Sequence, residues 1–420
     1  MSRHRLEVYL DKVFDFSQRR AALPDGRKYP RIPWSTLFDA VFLGAACQVP
    51  SLHQLEAECA KGVLRTRIGP LSEDAIGYAL ERQSAAPLLD LHCAVARQLK
   101  RNGVLRSSWA RGLVVVAVDG IEICSSFVRC CPGCLERTVH HKVGEELRED
   151  IQYYHRISVV TVVSSPFPVP LGLRFQAPGE DEVACSLALL EELRQKLGRR
   201  FFDLLVADAL YLRTPFVKAM EAQGWDWVIN LKDNQPELLA EAQRTTDGAA
   251  HYQQSDSQQQ LRLWYQPQLY WAAADRSVQV LRSERLQRQR RVQLRPPDSP
   301  KPQGKETIEV ESTNFYACHF QLGNVPPLFL YQLGRSRWII DTEVFQTLTT
   351  DSHLKKPSVH QDRQQAFLVL SMIRLLAYTL TLVFYHRQVR SHERTPIAAF
   401  ADSPKSWPIC FSRPGWIPVK

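Results

Sequence analysis

The chain has 420 residues, of which 45% are hydrophobic and 23% charged, a balance that excludes wholesale disorder and allows two or three domains with separate cores. A formal charge of +9 and a pI near 9.0 favour a polyanionic partner, although charge alone does not separate nucleic acid from an anionic membrane surface. Met1-Ser2-Arg3-His4-Arg5 carries charge but no apolar run, so no secretory signal is read and the cytoplasm is the expected location.

Residues 1–105 predict a helical region. Trp34 to Cys47 is an apolar helical stretch, Ser51 caps a helix through Ala60, and Ser72 caps another through Arg82 with Glu73 and Asp74 in its first turn. A further helix spans Pro87 to Lys100. Short helices with basic flanks suit a DNA-binding region and equally suit a helical cap on the domain that follows.

Residues 111–234 alternate strand and helix, the order of an α/β domain with a mixed sheet. The runs Leu113 to Val118 and Leu204 to Ala207 are short, continuous and rich in branched residues, as strands buried on both faces are. Asp119 and Asp208 directly follow them. Two hard oxygen ligands placed by rigid strands suit a Mg²⁺ site for phosphoryl transfer, whereas either aspartate alone serves equally well as a cap. Between them a Cys- and His-rich loop precedes strands at 157–163 and 171–175, and a helix covers 182–197. A helix over 214–223 and a strand over 227–231 complete this part.

Residues 235–330 predict a β-rich basic insertion. Nine Lys or Arg against two Asp or Glu fall between 276 and 305, and 290–305 reads as a basic loop whose Arg288, Arg290 and Arg291 neighbourhood would contact phosphates. Residues 331–400 return to helix, over 338–348 and 360–386, and 401–420 is a Pro- and Trp-rich tail without an assigned role. The apolar stretch 366–385 carries Arg374 at its middle, which favours a buried core helix over a membrane span.

A third acid is sought in Arg337-Trp338-Ile339-Ile340-Asp341-Thr342-Glu343. On a regular helix Asp341 shares the sheet-packing face with Trp338, Phe345 and Leu348, while Glu343 points about 200° away. Geometry therefore favours Asp341, and longer reach favours Glu343. Cys131 and Cys134 could hold Zn²⁺ with His140 or His141, but without a second Cys pair their expected role is packing. His155 reads as a structural histidine.

Taken in order, Val118-Asp119-Gly120, Cys131-Pro132-Gly133-Cys134-Leu135-Glu136-Arg137, Tyr153-Tyr154-His155, Ala207-Asp208-Ala209-Leu210-Tyr211, Leu231-Lys232-Asp233-Asn234 and Arg337-Trp338-Ile339-Ile340-Asp341 resemble the DDE transposases of bacterial insertion sequences. The resemblance runs from about Leu113 to His360. It implies an RNase H-like mixed-sheet catalytic core, with the helical region before it and the β-rich insertion before the last catalytic helix. It makes Asp119 and Asp208 the first two metal ligands and puts Asp341 where the family has Glu. Glu343 matches a second family Glu and is the alternative third acid. Arg337 keeps the Arg of a Tyr, Arg, Glu, Lys signature, whereas Gly334 and Leu348 replace its Tyr and Lys.

The activity implied is metal-dependent cleavage of a mobile element's ends and strand transfer into target DNA, with two Mg²⁺ ions (or Mn²⁺) as cofactors. Arg337, Lys232 and the basic insertion would neutralise phosphates. The implied partners are double-stranded DNA, as terminal repeats and target, and a second copy of the chain in the DNA complex. No membrane is implied, and the expected setting is the nucleoid. The alternative is a transposase-derived DNA-binding protein with weak or no catalysis, because Asp is shorter than Glu. A carboxylate-pair hydrolase acting on a glycan is disfavoured by the basic insertion.

Overall fold

The computed structural model describes residues 3–389 apart from 63, 144–145, 293–304, 322, 324 and 357–363. The tail over 401–420 therefore lies outside the described residues. Helices α1 (Arg3–Phe14), α2 (Phe16–Ala21), α3 (Trp34–Ala46), α4 (Leu52–Ala60), α5 (Glu73–Arg82) and α6 (Ala86–Arg101) precede strands β1 (Val115–Ser126), β2 (Leu135–Val143), β3 (Glu146–Val162) and β4 (Val169–Phe175). Next come α7 (Glu182–Leu197), β5 (Leu204–Ala207), α8 (Thr214–Ala222), β6 (Asp226–Leu231) and α9 (Pro236–Thr245). Strands β7 (Tyr252–Ser255), β8 (Gln259–Trp271), β9 (Arg276–Val292) and β10 (Lys305–His319) lead to α10 (Pro327–Ser336), a π-helix over Ile340–Phe345, α11 (Gln346–Thr350) and α12 (Gln364–Phe384).

Two compact units result, the first from Met1–Gly112, Val118–Phe201 and Ile339–Lys420, the second from Leu113–Ala117 and Phe202–Trp338. In the first, Ser51 and Ser72 accept from the N–H groups of Gln54 and Ala75, satisfying donors that helix starts leave open. α12 packs against α3, α5 and α6 and against β4. One helix among the described residues, Gln364–Gln388, is long and apolar enough to cross a membrane, and most of it is buried within this unit. Arg374 is buried there too and donates to the carbonyls of His353 and Lys356.

The sequence expectation for β1 needs correction. The strand does not stop before Asp119; it continues to Ser126 with Asp119 inside it. What read as a Cys- and His-rich loop is largely the end of β1 and a long antiparallel hairpin of β2 and β3, in register from Leu135–Tyr154 to Lys142–Leu147. The far half of β3 pairs with β4, from Ile157–Phe175 to Val162–Val169.

In the second unit the opening of β1 runs parallel to β5, with Val115 opposite Leu204, Val116 opposite Leu205 and Ala117 opposite Val206. β5 is parallel to β6. The insertion then extends the sheet in antiparallel fashion through β10, β9, β8 and β7. The expected basic loop begins later than 290, because β9 persists to Val292; residues 293–304 lie outside the described residues. α9 and α10 were not expected within 235–330. α10 also explains Gly334, since a Cβ there would lie 2.4 Å from the ring of Tyr316 on β10. Only glycine lets that buried ring pass so close to the helix.

Candidate active site

Asp208 stands where β5 gives way to a 3₁₀ turn, Ala209–Tyr211, and it occupies the N-terminal position of that turn. Lys232 Nζ lies 3.0 Å from its Oδ1 and 3.3 Å from its Oδ2, and Asn230 Nδ2 donates to Oδ1 at 3.0 Å. Both partners come from β6 and the residue just after it. The next residues clamp the turn itself: Asn234 donates to the Ala209 carbonyl at 2.7 Å and Gln235 to that of Leu212 at 2.9 Å. This gives the Leu231-Lys232-Asp233-Asn234 motif a physical purpose, which is to fix the backbone that presents Asp208.

Burial opposes ionisation of Asp208, but the Lys232 hydrogen bond, the Ala209 N–H and the charges of Lys232 and Arg337 outweigh it. The carboxyl is held below its ordinary range. Because the folded-state pKa is depressed, the group adds stability above its unfolded-state pKa, and that contribution fades as pH falls through the folded-state value. A half-buried, ionised oxygen donor with a cation already drawn to it fits a divalent metal ligand. Replacing Lys232 with methionine is expected to raise the Asp208 pKa. The acid limb of a pH–rate profile for DNA cleavage should then move to higher pH; an unmoved limb would mean that Asp208 ionisation does not govern activity.

Arg337 directly follows α10 and stacks 5.2 Å from the Trp338 ring centroid. It was expected to meet a phosphate, but only 6% of its surface is exposed and its charge acts on Asp208. Trp338, expected to face the sheet, is 47% exposed. Arg288 is exposed and paired to Glu309 across the β9–β10 ladder at 2.9 Å. Arg290 and Arg291 face Thr307 and Glu306 in the same ladder, and their side chains lie outside the described residues. Arg276 and Arg282 pair with Glu221 and Glu284. The insertion is thus less cationic as a folded surface than as a run of letters.

In the first unit Asp119 is half-buried and its Oδ1 accepts the N–H of Gly120 at 2.9 Å. A Cβ on Gly120 would fall 2.5 Å from the carboxyl carbon of Glu182, at the start of α7. Glu182 is neutralised by Arg156 at 2.9 Å. In the sequence Glu182 marks only a helix start; its approach to Gly120 depends on how α7 crosses the sheet. Asp341 and Glu343 both belong to the π-helix, yet their surroundings differ. Glu343 lines a cavity of about 490 Å³ with Phe167, Asp351, Tyr378 and His386, and Asp341 does not. Burial in that setting raises the Glu343 pKa.

Cys131, Cys134 and His155 are buried together. His140 and His141, the partners expected for the cysteines, instead face Glu149 and Asp150 across the hairpin, each at 3.3 Å.

A family model described as the transposase DDE domain matches residues 140–380. The chain belongs to that family: it is a DNA transposase, a nuclease and strand-transfer enzyme of a class that uses divalent metal ions and binds DNA, with a mixed α/β core. No curated protein matches it. Among solved structures it is similar to a piggyBac transposase synaptic complex with hairpin DNA, at 9% identity and a TM-score of 0.41, over 90% of this chain and 72% of that one.

Proposed function

We propose that the chain cleaves the ends of a bacterial insertion sequence and joins them to target DNA, with Mg²⁺ held by Asp119, Asp208 and Asp341. One observation carries the assignment of the first two. The opening of β1 runs parallel to β5; Asp119 stands two residues past Ala117 within β1, and Asp208 directly follows β5 with its carboxylate kept ionised by its neighbours.

Bound metal would polarise the attacking water or DNA 3′-hydroxyl and stabilise the leaving oxygen. The protein's own part is to hold charge and position. Arg337 and Lys232 keep Asp208 ionised, and Asn230 fixes the orientation of its carboxylate. Lys232, paired with Asp208 and exposed, would neutralise phosphates together with Arg288, Arg290 and Arg291 of the insertion. Because water and hydroxyl are the nucleophiles, no side chain forms a covalent link to DNA. The active form is a dimer on paired element ends, working at the nucleoid in the cytoplasm.

The test uses the purified full-length chain and a plasmid carrying its gene with native flanking DNA. Mg²⁺-dependent breaks at inverted repeats bracketing the gene are expected. Intact flanks under conditions where the chain binds that DNA would refute the activity while leaving DNA binding standing.

A further inference from the structure

Cys131, Cys134 and His155 take no part in that chemistry, and they stand close enough together to need another explanation. Cys131-Pro132-Gly133-Cys134 closes a four-residue turn in which the Cys134 N–H donates to the Cys131 carbonyl at 3.0 Å. Pro132 and Gly133 occupy its two central positions, where each is favoured. A Cβ on Gly133 would fall 2.2 Å from Oε1 of Gln364, at the start of α12, so a larger residue would push against that side chain. The turn feeds directly into β2, whose first residue, Leu135, pairs with Tyr154 of β3. Register therefore delivers His155 to the two sulfurs.

Cys131 Sγ and Cys134 Sγ are 3.7 Å apart, and His155 Nε2 lies 3.3 Å from the first and 3.4 Å from the second. Zinc binds thiolate at about 2.3 Å and imidazole at about 2.0–2.1 Å, so a tetrahedral site has S···S edges of about 3.8 Å and S···N edges of about 3.5 Å. The three observed separations fall within a few tenths of an ångström of those edges. All three side chains are buried, His155 completely, and Phe175 and Phe367 wall the imidazole edge-on at 5.5 and 5.9 Å. The Cys131 N–H points at Cys134 Sγ from 3.2 Å, a backbone donor that stabilises thiolate.

We infer that Cys131, Cys134 and His155 bind one Zn²⁺ that staples the loop after β1 onto β3. The soft ligand set separates this ion from the hard-oxygen chemistry of the aspartates. The fourth corner falls to a water or to a neighbouring thiol. Cys124 on β1 is one candidate, its sulfur already accepting the backbone N–H of His155; Cys130, next along the loop, is the other. The site does not depend on transposition, so it can fail or stand by itself.

Full-length protein prepared from zinc-supplemented cells under reducing conditions, without a metal-binding tag, should contain about one zinc per chain by elemental analysis. Cobalt substituted for zinc should show the intense visible bands of a tetrahedral ion and near-ultraviolet thiolate charge transfer. The double variant Cys131→Ser, Cys134→Ser should lose the metal. His155→Cys should keep it with stronger charge transfer, and Asp119→Asn should keep it unchanged. A further loss of charge transfer in Cys124→Ser or Cys130→Ser would support the site and name its fourth donor. Wild-type protein that takes up less than about a tenth of an equivalent of added zinc, or whose bound cobalt shows only weak octahedral bands, would overturn the proposal. Undiminished zinc in the double serine variant would overturn it equally. The wild-type cobalt spectrum decides the matter even if a variant does not fold.

Discussion

Alanine at Asp208 is expected to abolish Mg²⁺-dependent end cleavage, lowering the single-turnover rate by about 10³-fold or more, while DNA affinity changes by only a few-fold. Asp119→Ala should do the same. Asp208 is held ionised by Lys232, the Ala209 N–H and the Arg337 charge, and removing it leaves two cations where a metal site needs an anion. The exposed Lys232 still attracts phosphate, which is why binding should survive. Cleavage rates and DNA affinities measured side by side on both variants check this. A variant that retains more than about a tenth of the wild-type rate would remove its aspartate from the catalytic set.

Asp341→Glu is expected to raise the cleavage rate, by as much as about 100-fold. A carboxylate one methylene too short misplaces its oxygens by about 1 Å, and misplacement of that size costs on the order of 100-fold. Glu343→Gln is expected to leave the rate unchanged, because Glu343 turns into the cavity beside Tyr378 and Asp351. The opposite pattern, a dead Glu343→Gln with an indifferent Asp341→Glu, would make Glu343 the third acid. If neither change alters a rate already indistinguishable from background, the chain is the DNA-binding relic that its shortened acid allows. Single-turnover kinetics on matched preparations separate the three results.

Much of the core was legible because its signals are local. α7 occupies Glu182–Leu197 as read, since Asp181 caps it by accepting from the Ala184 N–H at 2.7 Å, and β5 occupies Leu204–Ala207, an uninterrupted apolar run. The β2–β3 hairpin was missed for the opposite reason. Leu147 and Ile151 are exposed, and the strands are zipped by pairs such as His140–Glu149 and His141–Asp150. Strands without an inward apolar face carry no alternating pattern to read. α10 was hidden by Pro326-Pro327, which looks like a break in the chain yet sits where a helix start accepts proline.

Asp119, Asp208 and Lys232 stand out in the sequence as separate residues, Lys232 as a phosphate contact; its pairing with Asp208 depends on β6 lying beside β5. Arg337 was read as a surface cation because an arginine's burial cannot be inferred from its neighbours in the chain. The grouping of His155 with Cys131 and Cys134 needed strand register across a gap of about twenty residues. Composition does not encode register of that kind.

The wide helical turn at Ile340–Phe345 has an evolutionary consequence. Such turns arise when one extra residue is absorbed into an ordinary helix and tend to persist where a function depends on them. Losing a single codon from this stretch would let it relax into an ordinary α-turn with Phe345 and Leu348 still facing the core, because the surplus residue is what the wide turn accommodates. A one-residue deletion here should therefore disturb the fold less than one in a regular helix, and a loss of cleavage without a loss of stability would mark the widened turn itself as the part that evolution has kept.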